Sequence, residues 1–298
     1  MSAATARIRT AALGFAAAGT AAGLATRLFG GRPSQCDSGS FSKSEFRAFR
    51  VSSVRQVNHD TKILRCALPS EQHVMGMTVS SLVMVKGGAG GEEGKPPPAR
   101  PYTPITTDDQ RGYFELMVKG YPSGVVSKHL CSLKAGDMVE VKGPFEKLPY
   151  KANMKKRIGM VAGGSGITPM LQVLKEALRN PLDETHFTLI FGNQTPSDIL
   201  LRQEIQELAA TSQGRLRVVF IVDKNPSGDS GVQHVGYLTA DVAKAELPPP
   251  SPDTLVYVCG PPGMMKAVSG AKGKPPAQGD LQGILKDLGY TQDMVFKF

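Results

Sequence analysis

A glycine-rich stretch in the second half of the chain has the residue types that bind phosphate. Residues 163–170 read Gly-Gly-Ser-Gly-Ile-Thr-Pro-Met, between an apolar run at 158–162 and a helical pattern at 171–180. We expect a strand, a turn and a helix, with Thr168 as the helix cap and Pro169 in its first position. Glycines let a ligand approach the backbone, and a helix N-terminus offers unpaired N–H groups to a phosphate. Because Pro169 replaces the third glycine of the usual dinucleotide fingerprint, a tight turn without a ligand is the alternative.

A second stretch, residues 100–104, combines a cation, an aromatic ring and two prolines in the order Arg-Pro-Tyr-Thr-Pro. The prolines favour extended backbone, in which Arg100 and Tyr102 lie on one face. An arginine for a phosphate beside an aromatic ring suits a flavin nucleotide. The alternative is an ordinary strand with a surface arginine.

Two further turns have suitable residues for binding a nucleotide. Gly124 and Ser127 can present backbone N–H groups and a hydroxyl to a pyrophosphate. Residues 259–265, Cys-Gly-Pro-Pro-Gly-Met-Met, follow an apolar run at 255–258. Ligands of doubly wound sheets bind beyond the carboxyl ends of the strands, so we expect this loop and the glycine turn to face one crevice. Cys259 is otherwise a small buried hydrophobic residue.

The elements that must position these stretches change character near residue 153. Residues 46–152 carry short β-prone runs between turn residues, which predicts a small antiparallel β-barrel closed by a turn at 143–145. Residues 153–298 alternate strand and helix patterns, which predicts a doubly wound α/β domain with a mostly parallel sheet. Thr195 is expected to cap a helix that runs to Leu208. The predicted strands are 49–57, 62–68, 80–85, 113–118, 138–141, 158–162, 186–191, 216–222 and 255–258.

Residues 1–35 differ in composition from the rest of the chain. They contain four arginines and no acidic residue, around an uncharged run at 11–26 that is rich in Ala and Gly. This composition is typical of a mitochondrial targeting segment. The run would span roughly 24 Å as a helix, against roughly 30 Å of hydrocarbon core, so a marginal membrane anchor and a disordered tail are the alternatives. Residues 36–45 are expected to be a linker, and the Gly/Pro-rich residues 87–98 a mobile hairpin loop.

Charge and cysteine content limit the classes of partner. The chain has 298 residues and a net charge of +9, of which +4 lies in residues 1–44 and +5 in the remainder. A modest positive excess suits an acidic protein partner or a membrane surface. Lys/Arg runs with interleaved aromatic residues are missing, which argues against nucleic-acid binding. Four cysteines without a C-x-x-C motif argue against a metal site or a disulfide framework, and favour a reducing compartment.

Taken together in chain order, the stretches at 100–103, 124–127, 163–169 and 259–263 resemble the ferredoxin–NADP reductase superfamily. Within it they resemble the NADH-cytochrome b5 reductases most closely. Residues 153–172 and 294–298 are similar to the mitochondrial reductases of plants and green algae. The resemblance covers residues 46–298. It implies an FAD-binding barrel at 46–152, an NADH-binding α/β domain at 153–298, and electron transfer from NADH through FAD to cytochrome b5.

The resemblance also implies roles for individual residues. Thr168 would approach the flavin ring, Cys259 would lie beside the nicotinamide, and Lys119 would border NADH. The residues expected to bind FAD are Arg100, Pro101, Tyr102, Thr103, Gly124, Val125, Val126 and Ser127. The further residues expected to bind a cofactor are Val118, Tyr121, Gly163, Gly164, Gly166, Asp223, Gly260, Pro261, Pro262, Gly263 and Met264. Many members have Lys-Met or Arg-Met where this chain has Val125-Val126, which implies weaker retention of FAD.

Asp223 is the acid expected to select NADH over NADPH. It ends the predicted strand at 216–222, where an acid in similar reductases meets the adenosine ribose and would repel a 2′-phosphate. Asp183 fits the usual fingerprint spacing better, but it follows Asn180-Pro181 in a loop and is expected to be solvated. Lys224 is adjacent to Asp223 and would partly offset the repulsion.

Two other functions compete with this interpretation. One is a flavin reductase that serves nitrate reduction or free flavins, although a nitrate reductase would need molybdenum and haem domains for which this chain has no room. The other is a non-catalytic nucleotide sensor or membrane adaptor that keeps the fold. FAD uptake and bleaching of the bound flavin by NADH would distinguish an enzyme from a sensor.

Overall fold

The structure is a computed structural model that describes residues 39–88, 96–274 and 277–298. The expected targeting or anchor segment at 1–35 lies outside the described residues, as does the middle of the 87–98 loop. Within the described ranges, no helix combines the length and the apolar character needed to cross a bilayer.

The first domain is built on a six-stranded antiparallel sheet, as predicted. Its strand order is β4-β3-β6-β1-β2-β5, and one helix, α1, packs against β5. Alternate residues of β3, such as Val83 and Val85, point into the domain core. The elements are β1 Arg47–Gln56, β2 Thr61–Ala67, β3 Ser81–Lys86, β4 Ala99–Tyr102, β5 Tyr113–Lys119, α1 Val125–Ser132 and β6 Met138–Glu146.

The second domain is built on a six-stranded parallel sheet with helices on both faces, which confirms the predicted α/β class. Its strand order is β10-β9-β8-β7-β11-β12. The strands are β7 Arg157–Gly163, β8 His186–Asn193, β9 Leu216–Val222, β10 His234–Val235, β11 Thr254–Cys259 and β12 Val295–Lys297. The helices are α2 Ile167–Arg179, α3 Arg202–Thr211, α4 Ala240–Glu246, α5 Pro262–Ser269 and α6 Gly283–Asp287.

The two faces of the parallel sheet bury separate cores. On β7, Ile158 and Met160 contribute to the core that contains α2, whereas Val161 contributes to the core beneath α4, α5 and α6. Successive strand residues point to opposite faces, so a strand buried on both sides is apolar throughout. The α2 core also contains Ile63 and Met117 of the first domain. The α2 core therefore extends across both domains.

Helix α2 is also hydrogen-bonded to the first domain. The Gln172 side-chain oxygen accepts hydrogen bonds from the backbone N–H groups of Ser80 and Ser81, at 2.7 and 3.1 Å. The Lys175 ammonium donates to the carbonyl oxygen of Ile105 at 2.8 Å. Because α2 directly follows the glycine turn, these bonds fix the turn relative to the first domain.

The start of α2 differs from the prediction. A 3₁₀ turn, Gly164–Gly166, leads directly into the helix, and Gly166 rather than Thr168 is the capping residue. Gly166 already has helical backbone angles, so the helix begins before Thr168 is reached. Thr168 lies in the first turn, where its hydroxyl donates to the carbonyl oxygen of Ser165 at 3.2 Å.

The helix predicted after Thr195 is interrupted. Thr195 and Asp198 form a capping box, but it caps only the 3₁₀ turn Pro196–Asp198. Leu201 adopts a left-handed conformation, with φ of 54°, before α3 begins. The intervening Ile199 and Leu200 are buried in the α2 core, so their tertiary packing overrides the local preference for a continuous helix.

Two other predicted connections are wrong in detail. Residues 143–145 lie within β6 instead of forming a turn, at a point where the pairing of β6 with β3 shifts register. The described part of the expected linker at 36–45 packs onto the first domain, since the ring of Phe41 meets those of Phe49 and Phe114 edge to face. By contrast, residues 87–98 do join two antiparallel strands, as expected of a hairpin.

Candidate functional site

A cavity of about 580 Å³ lies at the carboxyl edge of the parallel sheet. Its walls include the ends of β7, β8 and β9 and the start of α5, and Val161, Ile190 and Ile221 give it an apolar floor. The glycine turn and the loop after β11 both line it, as the sequence predicted. The expected site residues found in its wall are Lys119, Tyr121, Gly163, Gly164, Asp223, Pro261, Gly263 and Met264.

These two loops touch each other, and glycine permits the contact. A Cβ atom on Gly166 would overlap the backbone of Cys259 and Gly260, and one on Gly163 would lie 2.7 Å from the sulfur of Met264. A side chain at either position would therefore force the loops apart. The glycines therefore allow the two loops to pack against each other, in addition to any space that they leave for a ligand.

The first domain contributes a lysine to the cavity wall. The Lys119 ammonium lies 2.5 Å from a carboxylate oxygen of Asp60, and its stem passes over Gly164. Burial alone would raise the pKa of Asp60, but hydrogen bonds from Lys119 and Thr61 outweigh it and hold that pKa below its ordinary value. Lys119 is thus held in place by an ion pair while it faces the cavity.

Asp223 lies in the cavity wall directly after β9. Its backbone N–H donates to the carbonyl oxygen of Asn193 at 3.0 Å, which ties the ends of β9 and β8 together. Partial burial raises the pKa of its carboxyl, and the neighbouring Lys224 opposes that shift. This is the edge at which the sequence predicted the acid that meets a ribose.

Asp183 lies at the opposite, amino edge of the same sheet, and the expectation that it is solvated is wrong. Its side chain is only 2% exposed. It accepts hydrogen bonds from the Tyr150 hydroxyl at 2.5 Å and from the backbone N–H groups of Thr185 and Asn153. Asp183 therefore holds the connection between the domains, far from the cavity that contains Asp223.

Cys259 and Thr168 have mainly internal contacts. Cys259 ends β11 and is not among the cavity-lining residues, although Pro261, Gly263 and Met264 are. Burial raises the pKa of its thiol to about 12, so the group is neutral at physiological pH and is not a thiolate nucleophile. Thr168 is buried, with its hydroxyl bonded to Ser165.

In the first domain, Arg100 and Tyr102 lie on β4, at one edge of the sheet. The guanidinium of Arg100 is exposed and donates a hydrogen bond to the carbonyl oxygen of Ala99 at 3.0 Å. Burial, with smaller contributions from Cys131 and Tyr121, raises the pKa of Tyr102 to about 12. Tyr102 is therefore a neutral phenol that can donate a hydrogen bond. Pro101 and Thr103 flank it.

The Gly124–Ser127 turn forms the start of α1. Gly124 precedes the helix, and no side chain caps the first N–H groups of α1. The Ser127 hydroxyl accepts from the N–H of Tyr121 at 3.2 Å and donates to the carbonyl oxygen of Gly124 at 3.3 Å. The hydroxyl thus stabilises the turn, which leaves the backbone N–H groups of Val125 and Val126 as the donors for a phosphate.

Some predicted site residues do not present a side chain to the cavity. Val118 is fully buried in the core of the first domain, so only its backbone is available. Gly166, Gly260 and Pro262 belong to the contacting loops but do not line the cavity. Gly166 and Gly260 lie where the two loops touch, and the predicted role of these residues in cofactor binding stays a prediction.

Other residues of the cavity wall were not predicted from sequence. Asn193 is the last residue of β8, Asp198 follows that strand, and Tyr237, whose side chain is largely exposed, follows β10. Their position along the sequence could have identified them, because residues at the carboxyl ends of parallel strands lie at the ligand-binding edge of the sheet. Only the pairing of β8 between β7 and β9 places Asn193 and Asp198 in the centre of that edge.

The residues fit the two cofactors that the resemblance implied. The uncapped N-terminus of α1 and the exposed Arg100 suit the diphosphate of FAD. In the cavity, the buried amide nitrogen Nδ2 of Asn193 has no hydrogen-bond partner in the described part of the chain. Such atoms are costly unless a ligand satisfies them, and a nucleotide offers many donors and acceptors.

Comparisons with known proteins agree with this arrangement. The family described as "Oxidoreductase FAD-binding domain" matches residues 48–150, and "Oxidoreductase NAD-binding domain" matches residues 160–270. An NADH-cytochrome b5 reductase-like protein of Arabidopsis thaliana is 46% identical over 253 residues, which cover 84% of this chain and 76% of that protein. NADH-cytochrome b5 reductase 2 of Emericella nidulans is 43% identical over 250 residues, with the same coverage of 84% and 76%.

A solved structure gives the same result. The cytochrome b5 reductase domain of Ulva prolifera nitrate reductase superposes with a TM-score of 0.76 at 30% identity, covering 88% of this chain and all of that chain. The order of the two matched domains and the length of the matches account for both sheets described above. The chain belongs to the NADH-cytochrome b5 reductase family of flavoprotein oxidoreductases.

Proposed function

We propose that this chain oxidises NADH and delivers the electrons, through FAD, to cytochrome b5. The observation that carries this proposal is the cavity at the carboxyl edge of the parallel sheet. Lys119 and Tyr121 of the FAD-binding domain line it together with Asp223 of the NAD-binding domain. FAD, when bound, accepts a hydride from NADH and passes on its two electrons one at a time.

The first domain would hold FAD by charge and by backbone donors. Arg100 and the N–H groups at the start of α1 supply positive potential for the diphosphate, and no acidic residue lies in the first turn of that helix. Tyr102 supplies a neutral phenol beside them. Val125 and Val126 offer no side-chain contact to phosphate, so the backbone carries this part of the binding.

The second domain would hold and orient NADH along the carboxyl edge of its sheet. Lys119 supplies the positive charge near the glycine turn, and Asp223 accepts from the hydroxyls of a ribose. Val161, Ile190 and Ile221 exclude water from the cavity floor, which strengthens these polar contacts. The bonds from α2 to Ser80, Ser81 and Ile105 keep the two cofactor sites in register.

Spectroscopy on the purified full chain tests this function. We expect a yellow protein whose flavin absorbance is bleached by NADH, and which reduces cytochrome b5 in a reaction that requires NADH. Arg55, which is exposed on β1 and is not part of the cavity wall, provides a matched substitution, Arg55→Ala, that should leave the reaction unchanged. A colourless protein that does not take up FAD would favour the non-catalytic sensor instead. Bleaching without cytochrome b5 reduction would indicate another acceptor.

We also propose that the protein works at a mitochondrial membrane, in the outer membrane or the intermembrane space, with residues 1–35 as targeting segment or anchor. The support is compositional: this segment is arginine-rich, without acidic residues and compositionally foreign to the rest of the chain. Fusing residues 1–35 to a fluorescent protein should direct the fusion to mitochondria. Deleting them should leave a soluble enzyme with unchanged reduction of ferricyanide by NADH. A truncated chain that still reaches mitochondria would contradict the proposal.

A further inference from the structure

The turn between β1 and β2 reaches from the first domain to the second beside the cavity. In this turn, Nδ1 of His59 lies 3.4 Å from Oδ1 of Asp198, and Nε2 lies 3.5 Å from Oδ2 of Asp60. Asp198 belongs to the 3₁₀ turn after β8, in the second domain, whereas Asp60 directly precedes β2, in the first. The imidazole of His59 therefore lies between one carboxylate of each domain.

Asp60 connects this imidazole to the cavity lysine. Its oxygen Oδ2, which faces Nε2 of the ring, also accepts a hydrogen bond from the ammonium of Lys119 at 2.5 Å. The backbone N–H of Gly120 donates to the carbonyl oxygen of Asp60 at 2.7 Å, so the turn is attached to the chain directly after Lys119. The series of contacts begins at Lys119 and ends at Asp198, and both of these residues line the cavity.

Asp198 depends on the imidazole for its second hydrogen-bonding partner. Its oxygen Oδ2 accepts from the backbone N–H and the hydroxyl of Thr195, at 3.1 and 2.7 Å. Within the described part of the chain no other donor reaches Oδ1, so the group that faces this oxygen is Nδ1 of His59. A buried carboxylate oxygen without a donor is destabilising, and a proton on Nδ1 would satisfy it.

The protonation state of His59 decides how many carboxylates the ring can satisfy. A neutral imidazole has one N–H donor and one acceptor nitrogen, so one of its two carboxylates faces a lone pair, whereas an imidazolium donates from both nitrogens. Among the described residues, the ionic contacts of His59 are with Asp60 and Asp198, and Lys119 is one contact further away. With a neutral ring, two carboxylates face one ammonium, and with a protonated ring the charges balance.

We propose that His59 is a pH-dependent positioning residue for the nucleotide, a role that rests on the proposed use of NADH. Its protonated ring bridges Asp60 and Asp198 across the two domains and strengthens the binding of the NADH diphosphate. The ring is 67% exposed and is not part of the cavity wall, so it acts through these two carboxylates and Lys119. A negatively charged diphosphate binds more tightly where the surrounding charges balance than where they are negative.

Titration with NAD⁺ at several pH values tests this role. NAD⁺ does not reduce the oxidised flavin, and its diphosphate keeps the same charge between about pH 5.5 and pH 8, the range in which histidine ordinarily titrates. In calorimetric titrations of the FAD-loaded full chain, the wild type should bind NAD⁺ about two- to tenfold more weakly at the upper end of this range than at the lower end.

Two substitutions of His59 fix the charge of the bridge in opposite states. Glutamine keeps one donor and one acceptor but carries no charge, so His59→Gln should bind NAD⁺ at every pH as the wild type does near pH 8. Lysine stays charged throughout the range, so His59→Lys should bind as the wild type does near pH 5.5. In turnover of NADH, the difference between wild type and His59→Gln should appear in KM rather than in kcat.

His186 supplies a matched control. It is an exposed histidine at the first residue of β8, at the opposite edge of the parallel sheet from the cavity. His186→Gln should therefore keep the pH dependence of the wild type. The comparison separates removal of this bridge from removal of a titrating histidine in general.

The possible failures are distinguishable. If the wild type takes up no FAD, or binds neither NAD⁺ nor NADH, the proposed function fails and this inference fails with it. If the wild type binds NAD⁺ equally well at both ends of the pH range, or if His59→Gln keeps the full pH dependence, only the inference is overturned. Loss of the dependence in His186→Gln, or an effect of His59→Gln confined to kcat, would each also overturn it.

Discussion

Asp223 lines the cavity at the edge where we propose that the adenosine ribose of NADH binds, so its carboxylate would repel the additional phosphate of NADPH. Two unit charges about 4 Å apart at an effective dielectric near 20 interact by roughly 4 kcal/mol, and solvent at the cavity rim reduces this value. We therefore expect the wild type to prefer NADH by about ten- to thousandfold in kcat/KM. Asp223→Ser should remove most of this preference, measured as kcat/KM for both nucleotides. Equal use of both nucleotides by the wild type would contradict the prediction.

Asp183 provides the control for that experiment. It is an acid of the same domain at the usual fingerprint spacing, but it lies at the opposite edge of the sheet and is bonded to Tyr150. Asp183→Ser should lower stability and leave the NADH preference intact. If Asp183→Ser abolished the preference and Asp223→Ser did not, the selecting acid would be Asp183.

Arg100 is predicted to carry part of the affinity for FAD. Its guanidinium is exposed and, among the residues that the structure describes, donates only to the carbonyl oxygen of Ala99, so it has further donors to offer a phosphate. Arg100→Ala removes a charge-assisted contact of about 1.5–3 kcal/mol, which corresponds to about 10- to 150-fold weaker FAD binding. Fluorescence titration of the apoprotein with FAD measures this affinity. Arg100→Lys should bind FAD with an affinity between those of the wild type and Arg100→Ala. Full flavin content in Arg100→Ala would show the assignment to be wrong.

Among the larger elements, the segment between β6 and β7 sets how the domains are joined. Asn153 adopts a left-handed conformation, and its side chain donates to the carbonyl oxygen of Leu182 and accepts from the N–H of Glu184. Its backbone N–H and the hydroxyl of Tyr150 both donate to Asp183. The loop after α2 therefore clamps the connection between the domains through one buried carboxylate.

This clamp predicts a pH dependence of stability. Burial tends to raise the pKa of Asp183, but the hydrogen bonds from Tyr150, Thr185 and Asn153 outweigh it, so the folded-state pKa lies below the ordinary 3.8. A depressed pKa contributes stability that is complete above the unfolded-state pKa and is lost as the pH falls through the folded-state pKa. Asp183→Asn should thus cost about 2 kcal/mol at pH 7, and progressively less below about pH 4.

Urea unfolding of the wild type and Asp183→Asn across this pH range measures the effect. Asp253 is a suitable control, because its pKa is also lowered, here by Lys156, but the pair is exposed. Asp253→Asn should change stability little, as expected for a surface ion pair. A difference between wild type and Asp183→Asn that stayed constant down to pH 3 would contradict the role of the ionised carboxylate.

At the scale of the whole molecule, the domains are joined by a common core and the chain carries an excess of positive charge. The described part of the chain includes most of the residues that carry the +5 outside residues 1–44. Such an excess steers an acidic protein partner at low ionic strength and does so less as salt shortens the Debye length.

The rate of cytochrome b5 reduction should therefore fall with salt. Between 0.01 and 0.1 M the Debye length shortens from about 30 to about 10 Å, and kcat/KM for cytochrome b5 should decrease over that range. Reduction of an uncharged quinone by the same enzyme serves as the control and should change little. A rate for cytochrome b5 that is flat or rises with salt would count against electrostatic docking.

The sequence alone determined the two fold classes and the order of the domains. Alternating apolar residues in short runs, such as β3, have the period of a half-buried strand, and the apolar run before the glycine turn has that of a strand buried on both faces. Residues 163–166 and Asp223 were identified because they directly follow such runs. These features depend on the spacing of residues close together in the chain, which can be read directly from the sequence.

Tertiary structure decided which of these residues meet. Asn193 ends β8 and Asp198 follows it, and their place in the cavity wall depends on β8 lying between β7 and β9. Asp183 follows the same glycine turn at a plausible spacing, but the chain has by then crossed to the opposite edge of the sheet, where Tyr150 buries it. The break before α3 likewise reflects burial of Ile199 and Leu200 in the shared core. Strand order and burial arise from contacts between distant residues, so local spacing does not specify them.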